Sequence, residues 1–216
     1  MTDKKIPALT EKTTLAATDL LIIEDMADPD NTVTKKVTAE TVRDFVNPQT
    51  RYASIPAKAF HPAVTAGCGV LVALEMGTNK QAIEYLPFDK DTDENAEISF
   101  VMPPNWDGGT ITCTPYWMHP ATTTNFKVSW GFKGRAYAND DAFDQAFGTA
   151  VTSYDTGGTT YDTYTGPETA AITFAGTPAG GQKVVLRVYR DADDATNDTL
   201  AVDAYLTDVL IKYTVL

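Results

Sequence analysis

Apolar and polar residues alternate most regularly between Phe126 and Ala138. In an extended chain one face of this segment carries four apolar side chains, Phe126, Val128, Trp130 and Phe132. The other face carries the polar residues Lys127, Ser129, Lys133 and Arg135. A period of two is typical of a β-strand with one face in a core and the other in water. Since a second sheet must cover the apolar face, the pattern predicts a two-sheet β-sandwich or a closed barrel.

Similar runs recur through residues 63–216 and are separated by turn signals. The predicted strands are Gly69–Met76, Gln81–Asp89, Ala96–Met102, Thr110–Met118, Phe126–Ala138, Thr149–Asp155, Thr169–Phe174, Lys183–Arg190 and Val202–Val215. One helical turn is predicted at Asp140–Phe147, where acidic residues precede apolar ones at helical spacing. The fold class predicted for residues 63–216 is therefore all-β, a jelly-roll-like β-sandwich.

A smaller module is predicted in residues 1–50. Two short strand patterns, Asp19–Asp25 and Thr32–Val37, flank a turn-rich stretch and predict a β-hairpin. Thr38 then caps a short helix that ends before Pro48. A hairpin and two helical turns bury too little surface to be stable alone, so the module is expected to pack on sister chains or a larger assembly. Residues 51–62 contain prolines and little periodicity and are predicted to form a semi-stiff connector.

Three stretches near the start form a recurrent pattern: Ile6–Thr10, Thr18–Asp25 and Thr34–Thr38. Over residues 6–46 the chain resembles the N-terminal segment of many bacteriophage tail-fibre and head-fibre proteins. The resemblance implies that this end docks onto the virion or starts the assembly of a homotrimer, while the distal domain faces outward. The attachment residues that it implies are Leu20, Leu21, Ile22, Ile23, Val37, Val42 and Phe45.

Part of the larger domain resembles, more loosely, a β-sandwich found behind such leaders. The matching stretches are Val101–Trp106, Gly109–Thr112 and Val188–Asp191. The resemblance implies a location in the virion, after assembly in the bacterial host cytoplasm, and other phage structural proteins of the capsid or tail as partners. It supplies no catalytic residues.

Acidic residues outnumber basic ones by 29 to 17, which gives a formal net charge of -12. A surface of that sign repels phosphate, so nucleic acid and anionic membranes are not expected partners. The start of the chain does not resemble a signal peptide, and no apolar run reaches about 18 residues, so no membrane insertion is expected. The two cysteines, Cys68 and Cys113, are expected to be buried thiols rather than zinc ligands.

The residues that carry most catalytic chemistry are sparse in this sequence. His61 and His119 each adjoin a proline, and no serine lies in a nucleophile-elbow pattern, so we expect no enzyme activity and no cofactor. The acidic run Asp89–Asp93 lacks the glycine and the bidentate acid of an EF-hand loop. For the run Asp191–Asp198 the alternatives are a loop calcium site and a solvated acidic turn. The pattern favours the turn, so no metal site is predicted.

Residues 154–167 form a loop rich in Gly and Thr that contains three tyrosines, Tyr154, Tyr161 and Tyr164. Exposed rings beside hydroxyl and carboxylate groups would form a glycan-contact loop, whereas the same rings packed between subunits would form a trimer interface. Both interpretations stay open. The main functional hypothesis is a short trimeric fibre or spike that binds host-surface polysaccharide. The alternative is a capsid decoration protein that cements the shell without binding a receptor. A more distant alternative is a stand-alone carbohydrate-binding or carbohydrate-degrading domain, which would need neither a trimer nor the N-terminal module.

Overall fold

The computed structural model describes residues 20–24, 34–38, 48–121 and 125–216. By its internal contacts the chain divides into two units, Met1–Asn47 and Pro48–Leu216. No helix within the described ranges is long and apolar enough to cross a membrane.

In the first unit a strand pair occurs where the sequence predicts a β-hairpin. Strand β1 (Leu20–Glu24) pairs antiparallel with β2 (Thr34–Thr38). Of the predicted attachment residues, Leu20, Leu21, Ile22 and Ile23 lie on β1 and Val37 lies on β2. The predicted short helix, with Val42 and Phe45, lies outside the described residues.

Residues 48–121 and 125–216 contain eleven further strands and one short 3-10 helix. Their bounds are β3 (Gln49–Pro56), the 3-10 helix (Ala57–Ala59), β4 (His61–Pro62), β5 (Val72–Glu75), β6 (Ala82–Phe88), β7 (Glu94–Val101), β8 (Thr112–Met118), β9 (Phe126–Tyr137), β10 (Val151–Gly157), β11 (Tyr164–Thr165), β12 (Lys183–Arg190) and β13 (Ala204–Val215).

These strands form two antiparallel sheets. The five-stranded sheet has the order β10-β9-β12-β7-β4, and the six-stranded sheet has the order β11-β8-β13-β6-β5 with β3 also on β13. Along one edge of β13 its first residues, 204–206, pair with β6, and residues 208–215 pair with β3. The other edge of β13 pairs with β8 through a register shift between Leu206 and Asp208.

The strand order is that of a jelly roll. In the five-stranded sheet the late strand β12 lies between β7 and β9, and in the six-stranded sheet the last strand β13 lies between β3 and β8. Consecutive strands from β7 to β9 and from β10 to β13 alternate between the sheets. This interleaving is the paired Greek-key winding of a jelly roll, so the predicted all-β, jelly-roll-like β-sandwich is confirmed.

The core lies between the two sheets and contains the apolar face predicted for β9. Val128, Trp130 and Phe132 are fully buried, and Phe126 is nearly so. The ring of Trp130 meets that of Phe88 edge-on, with centroids 5.1 Å apart. Such interlocking of large rings from both sheets is what holds a sandwich together.

The outer face of β9 is less exposed than its polar residues predict. Ser129 and Arg135 are both buried. The backbone N–H of Ser129 donates to Asp198 at 3.1 Å, and Arg135 Nη1 donates to the carbonyl of Ala146 at 3.0 Å. The loops after β12 and β9 therefore cover Ser129 and Arg135, whereas Lys127 and Lys133 stay partly exposed.

The prediction of a connector over residues 51–62 is wrong. Residues 49–56 form β3, which pairs along β13 and buries Ile55 in the core. Residues 61 and 62 form β4, the edge strand beside β7. Prolines are compatible with this arrangement because Pro56 ends its strand and Pro62 lies at a sheet edge, where a missing N–H breaks no internal ladder.

The predicted helical turn at residues 140–147 is also wrong, since this stretch is an irregular loop. Asp140 has a φ of 68°, in the left-handed region, which is incompatible with the first turn of an α-helix. The hydroxyl of Tyr137 donates to the carbonyl of Phe143 at 3.1 Å and holds the loop beside β9.

Candidate functional site

Two tyrosine rings lie on the outer face of the five-stranded sheet. Tyr189 of β12 is opposite Gly131 of β9. A Cβ atom at Gly131 would overlap the ring of Tyr189, so that ring covers β9 at a position where no side chain projects. Tyr154 of β10 lies on the same face. It is opposite Ser129, which precedes Gly131 by two residues on β9.

Lysine side chains of β9 accompany both rings. Tyr154 is 49% exposed, and Lys127 Nζ lies 4.9 Å from the centroid of its ring. Lys133 Nζ lies 5.5 Å from the centroid of the Tyr189 ring. These are cation–π distances, and each lysine keeps its charge at the surface while its stem packs on a ring. The middle of the face is thus a shallow surface of aromatic rings and ammonium groups.

A third cation, Arg187, bounds the face on the side of the 138–150 loop. Arg187 donates from Nε to Oε1 of Glu97 at 2.8 Å, and its Nη2 bonds to the same oxygen. Its guanidinium also lies 4.6 Å from the ring centroid of Phe147 in that loop. The ion pair and the stacked ring fix the loop at this end of the face.

Three carboxylates bound the opposite end, where β12 ends and β7 begins. Among the described residues, Asp93, Asp191 and Asp193 form the group whose oxygens lie close enough to hold a metal ion, within 4.8 Å of one another. Oδ1 of Asp93 already accepts the backbone N–H of Ala192 at 2.8 Å. Burial and the neighbouring carboxylates raise the pKa of Asp191. We assign no metal to this group.

The acidic end of the face also affects Tyr189. Burial raises the pKa of Tyr189 to about 12, and the charges of Asp191, Asp93 and Asp193 add to that shift. Like an ordinary tyrosine, the phenol keeps its proton at neutral pH, so it can both donate and accept a hydrogen bond.

Of the three tyrosines predicted from the sequence, Tyr164 belongs to the other sheet and Tyr161 to the loop that precedes it. Tyr164 on β11 pairs with Trp117 of β8, and their ring centroids are 4.8 Å apart. It also stacks on the ring of His119 at 5.4 Å. Its hydroxyl donates to the carbonyl of Thr159 at 2.7 Å and accepts from the N–H of Gly158 at 3.0 Å. Tyr164 thus fixes its own loop and leaves little of its ring for a ligand.

Tyr161 lies at the tip of the same loop and is 41% exposed. Its φ of 60° places it in the left-handed region, and its N–H donates to the carbonyl of His119 at 2.9 Å. The fold therefore separates Tyr161 and Tyr164 from Tyr154, so the three rings do not form one contact loop.

The sequence analysis missed Tyr189 and Gly131. A signal existed for Tyr189, because it alternates out of phase with Val184, Leu186 and Val188, which face the core. The role of Gly131 depends on the register between β9 and β12, which are distant in sequence. No local pattern could supply it.

Comparison with known proteins adds similarities of low score. No family model and no curated protein matches the chain. Among solved structures, the CBM22-2 xylan-binding domain of a Paenibacillus barcinonensis xylanase is 11% identical with a TM-score of 0.43, over 74% of this chain and 98% of that one. The CBM22-1 and GH10 modules of a Clostridium thermocellum xylanase are 12% identical with a TM-score of 0.43, over 73% of this chain and 26% of that one.

A viral structure is similar at a lower score. The infectious bursal disease virus structure, Gx strain, is 11% identical with a TM-score of 0.31, over 92% of this chain and 37% of that one. The assignment of the fold rests on the strand order of this chain and not on these similarities.

Proposed function

We propose that this chain is a structural bacteriophage virion protein that binds a glycan of the host surface. In this proposal the N-terminal segment, residues 1–50, attaches the protein to the capsid or tail and assembles it as a homotrimer. The β-sandwich faces outward as a short fibre or spike. The support for the virion role is the resemblance of residues 6–46 to fibre-protein leaders, together with the strand pair formed by β1 and β2.

The observation that carries the glycan proposal is the ring of Tyr189 that lies over Gly131, with the exposed ring of Tyr154 on the same face. A sugar ring has apolar C–H faces that pack on an aromatic ring and hydroxyl groups that need nearby donors and acceptors. Lys127, Lys133 and the protonated phenol of Tyr189 supply donors around the two rings. The proposed role of this surface is binding.

The test measures binding of the purified full chain to polysaccharide extracted from the host surface. Each of Tyr154→Ala and Tyr189→Ala should weaken binding by about 5- to 30-fold, the equivalent of about 1–2 kcal/mol for one lost aromatic contact. Gly131→Val should act like Tyr189→Ala, because the new side chain displaces the ring. Tyr52→Ala is the matched control, since Tyr52 is 62% exposed on β3 of the other sheet.

Avidity decides how this effect appears on particles. A trimer binds a surface through three weak sites at once, so a loss of affinity at each site is compounded. In the tyrosine variants, adsorption of virions to host cells should therefore fall more steeply than the affinity of one domain. Wild-type affinity for Tyr154→Ala, Tyr189→Ala and Gly131→Val would contradict the proposed site. If particles that lack the protein adsorb normally but burst under osmotic or thermal stress, the decoration function is correct instead.

A further inference from the structure

A trough runs along the free edge of β10, the outermost strand of the five-stranded sheet. It consists of two neighbouring cavities of about 420 and 380 Å³. The first is lined by Gly148, Thr149, Val151, Ala171, Thr173, Phe174 and Ala175, and the second by Thr152, Ser153, Tyr154, Pro167, Glu168 and Ala170. From Thr149 to Tyr154 an extended chain spans roughly 16 Å, so the trough is several times longer than a single sugar ring.

Backbone groups of β10 open into this trough. Ser129, opposite Tyr154, turns its backbone away from β10, because its carbonyl accepts the N–H of Asp191 at 2.9 Å and its N–H donates to Asp198. Opposed residues of an antiparallel pair either exchange both of their bonds or direct both away from each other. The N–H and C=O groups of Tyr154, and of Thr152 two residues earlier, therefore face the free edge.

The edge is too short for a partner strand. The next outward N–H, that of Thr156, already donates to Oδ1 of Asp155 at 2.8 Å. Within β10 the free outward backbone groups are those of Thr152 and Tyr154 and the carbonyl of Thr156. So short a ladder gives an added strand little stability. Isolated backbone N–H and C=O groups beside hydroxyl side chains match the hydroxyl groups of sugars better than they match the regular ladder of a β-strand.

The charge of the residues that line the trough indicates whether its ligand is neutral or ionic. Glu168 is the charged residue among those that line the trough, and its carboxylate is already bonded to Thr112 and Lys212. Both bonds hold the pKa of Glu168 below its usual value. The charge of Glu168 is thus paired with that of Lys212, so the trough lining carries no net charge toward an ionic group. The lysines beside the tyrosine rings lie on the adjacent sheet face.

We infer that the ligand is a linear chain of neutral sugars that starts on the ring of Tyr154 and runs lengthwise through this trough past Thr152 toward Thr149 and Thr173. This inference rests on the proposed glycan binding and deepens it. It makes affinity depend on chain length, since the tyrosine rings hold one end and the trough holds the following units.

The test uses the full chain and size-fractionated fragments of extracted host polysaccharide, from one sugar unit upward. Wild-type affinity should rise at least tenfold from the shortest fragment to those that span the trough. Ala171→Trp fills the trough at an exposed position and should abolish this rise, while the shortest fragments bind as before. Ala82→Trp places the same side chain at an exposed position on β6 and is the control.

The outcomes separate the two proposals. If no fragment and no intact polysaccharide binds the wild type, both proposals fail. If glycan binds but Ala171→Trp leaves the length dependence intact, the trough is not part of the site and only this inference fails. If the Ala171→Trp variant instead sediments as a smaller assembly than the wild type, the edge is a protein interface and the inference is overturned.

Discussion

Arg190 and Asp198 form a fully buried bidentate ion pair at the end of β12. Nε of Arg190 lies 2.9 Å from Oδ2 of Asp198, and Nη2 lies 2.7 Å from Oδ1. The guanidinium also donates to the carbonyls of Leu200 at 2.7 Å and Val202 at 2.9 Å. The pair therefore ties the acidic loop after β12 to the core. The interpretation of residues 191–198 as a solvated turn is wrong at Asp198.

Asp198→Ala should lower the free energy of unfolding by about 3–5 kcal/mol. The reason is that the substitution leaves the guanidinium of Arg190 buried without its counter-ion. Chemical denaturation monitored by tryptophan fluorescence measures the change. Asp144→Ala removes the same charge from an exposed loop position and should change stability by less than about 0.5 kcal/mol. A loss below about 1 kcal/mol for Asp198→Ala would mean that water reaches the pair.

The ion pair was predictable in part from the sequence. Arg190 continues the phase of Val184, Leu186 and Val188, so the alternation that gives the correct bounds of β12 also directs a charge into the core. A buried charge requires a partner. The choice of Asp198 among four nearby aspartates depends on the path of the loop, which has no periodic signal.

Trp130→Ala should destabilise the sandwich by about 3–5 kcal/mol, the usual cost of emptying a large aromatic site in a packed core. Trp130 is fully buried against Phe88, and its indole N–H has no hydrogen-bond partner among the residues described. Trp130→Phe should therefore cost clearly less, because it keeps an aromatic ring and removes no hydrogen bond. Equal losses for the two variants in urea melts would contradict this account.

His119 should make stability depend on pH. Burial lowers the pKa of His119 below its usual value of about 6.5, and the charge of Asp162 opposes that shift. Its Nδ1 accepts the N–H of Ala121 at 3.1 Å, so the ring is neutral in the fold. Because the unfolded chain binds this proton more readily, the contribution of His119 to stability falls as the pH drops below about 6.5 and is constant above it.

His119→Phe isolates this contribution while it keeps an aromatic ring beside Phe126 and Tyr164. The pKa values of Asp191 and Glu94 are raised in the fold, so these two groups make stability rise as the pH falls toward their own pKa values. Because this effect is opposite to that of His119, only the difference in stability between wild type and variant is informative. That difference, measured by thermal melts between pH 5 and 8, should change below about pH 6.5 in favour of the variant. A constant difference across this range would show that His119 does not titrate differently in the two states.

The sequence predicts well the strands that contain clear alternation and poorly those that do not. The predicted bounds of β9 and β12 agree with the structure to within a residue, because large apolar residues alternate with other residues from Phe126 to Phe132 and from Val184 to Val188. Residues 169–174 make only an isolated bridge at Ile172. Sequence analysis missed β3 because Ile55 is its one buried apolar residue, which leaves no alternating pattern. This strand is defined by its pairing with β13, which is distant in sequence.

The position of β3 determines where the chain can be cut. A fragment of residues 48–216 keeps every strand of the sandwich, so it should fold with a cooperative thermal transition. It should be monomeric in light scattering and should fail to load onto particles if the leader attaches the protein.

A fragment of residues 57–216 lacks β3, exposes one edge of β13 and removes Ile55 from the core, so it should be insoluble or melt far earlier. The full chain, measured in parallel, should have the mass of a trimer. A monomeric full chain would contradict the trimer, and loading of the 48–216 fragment would show that attachment lies in the sandwich.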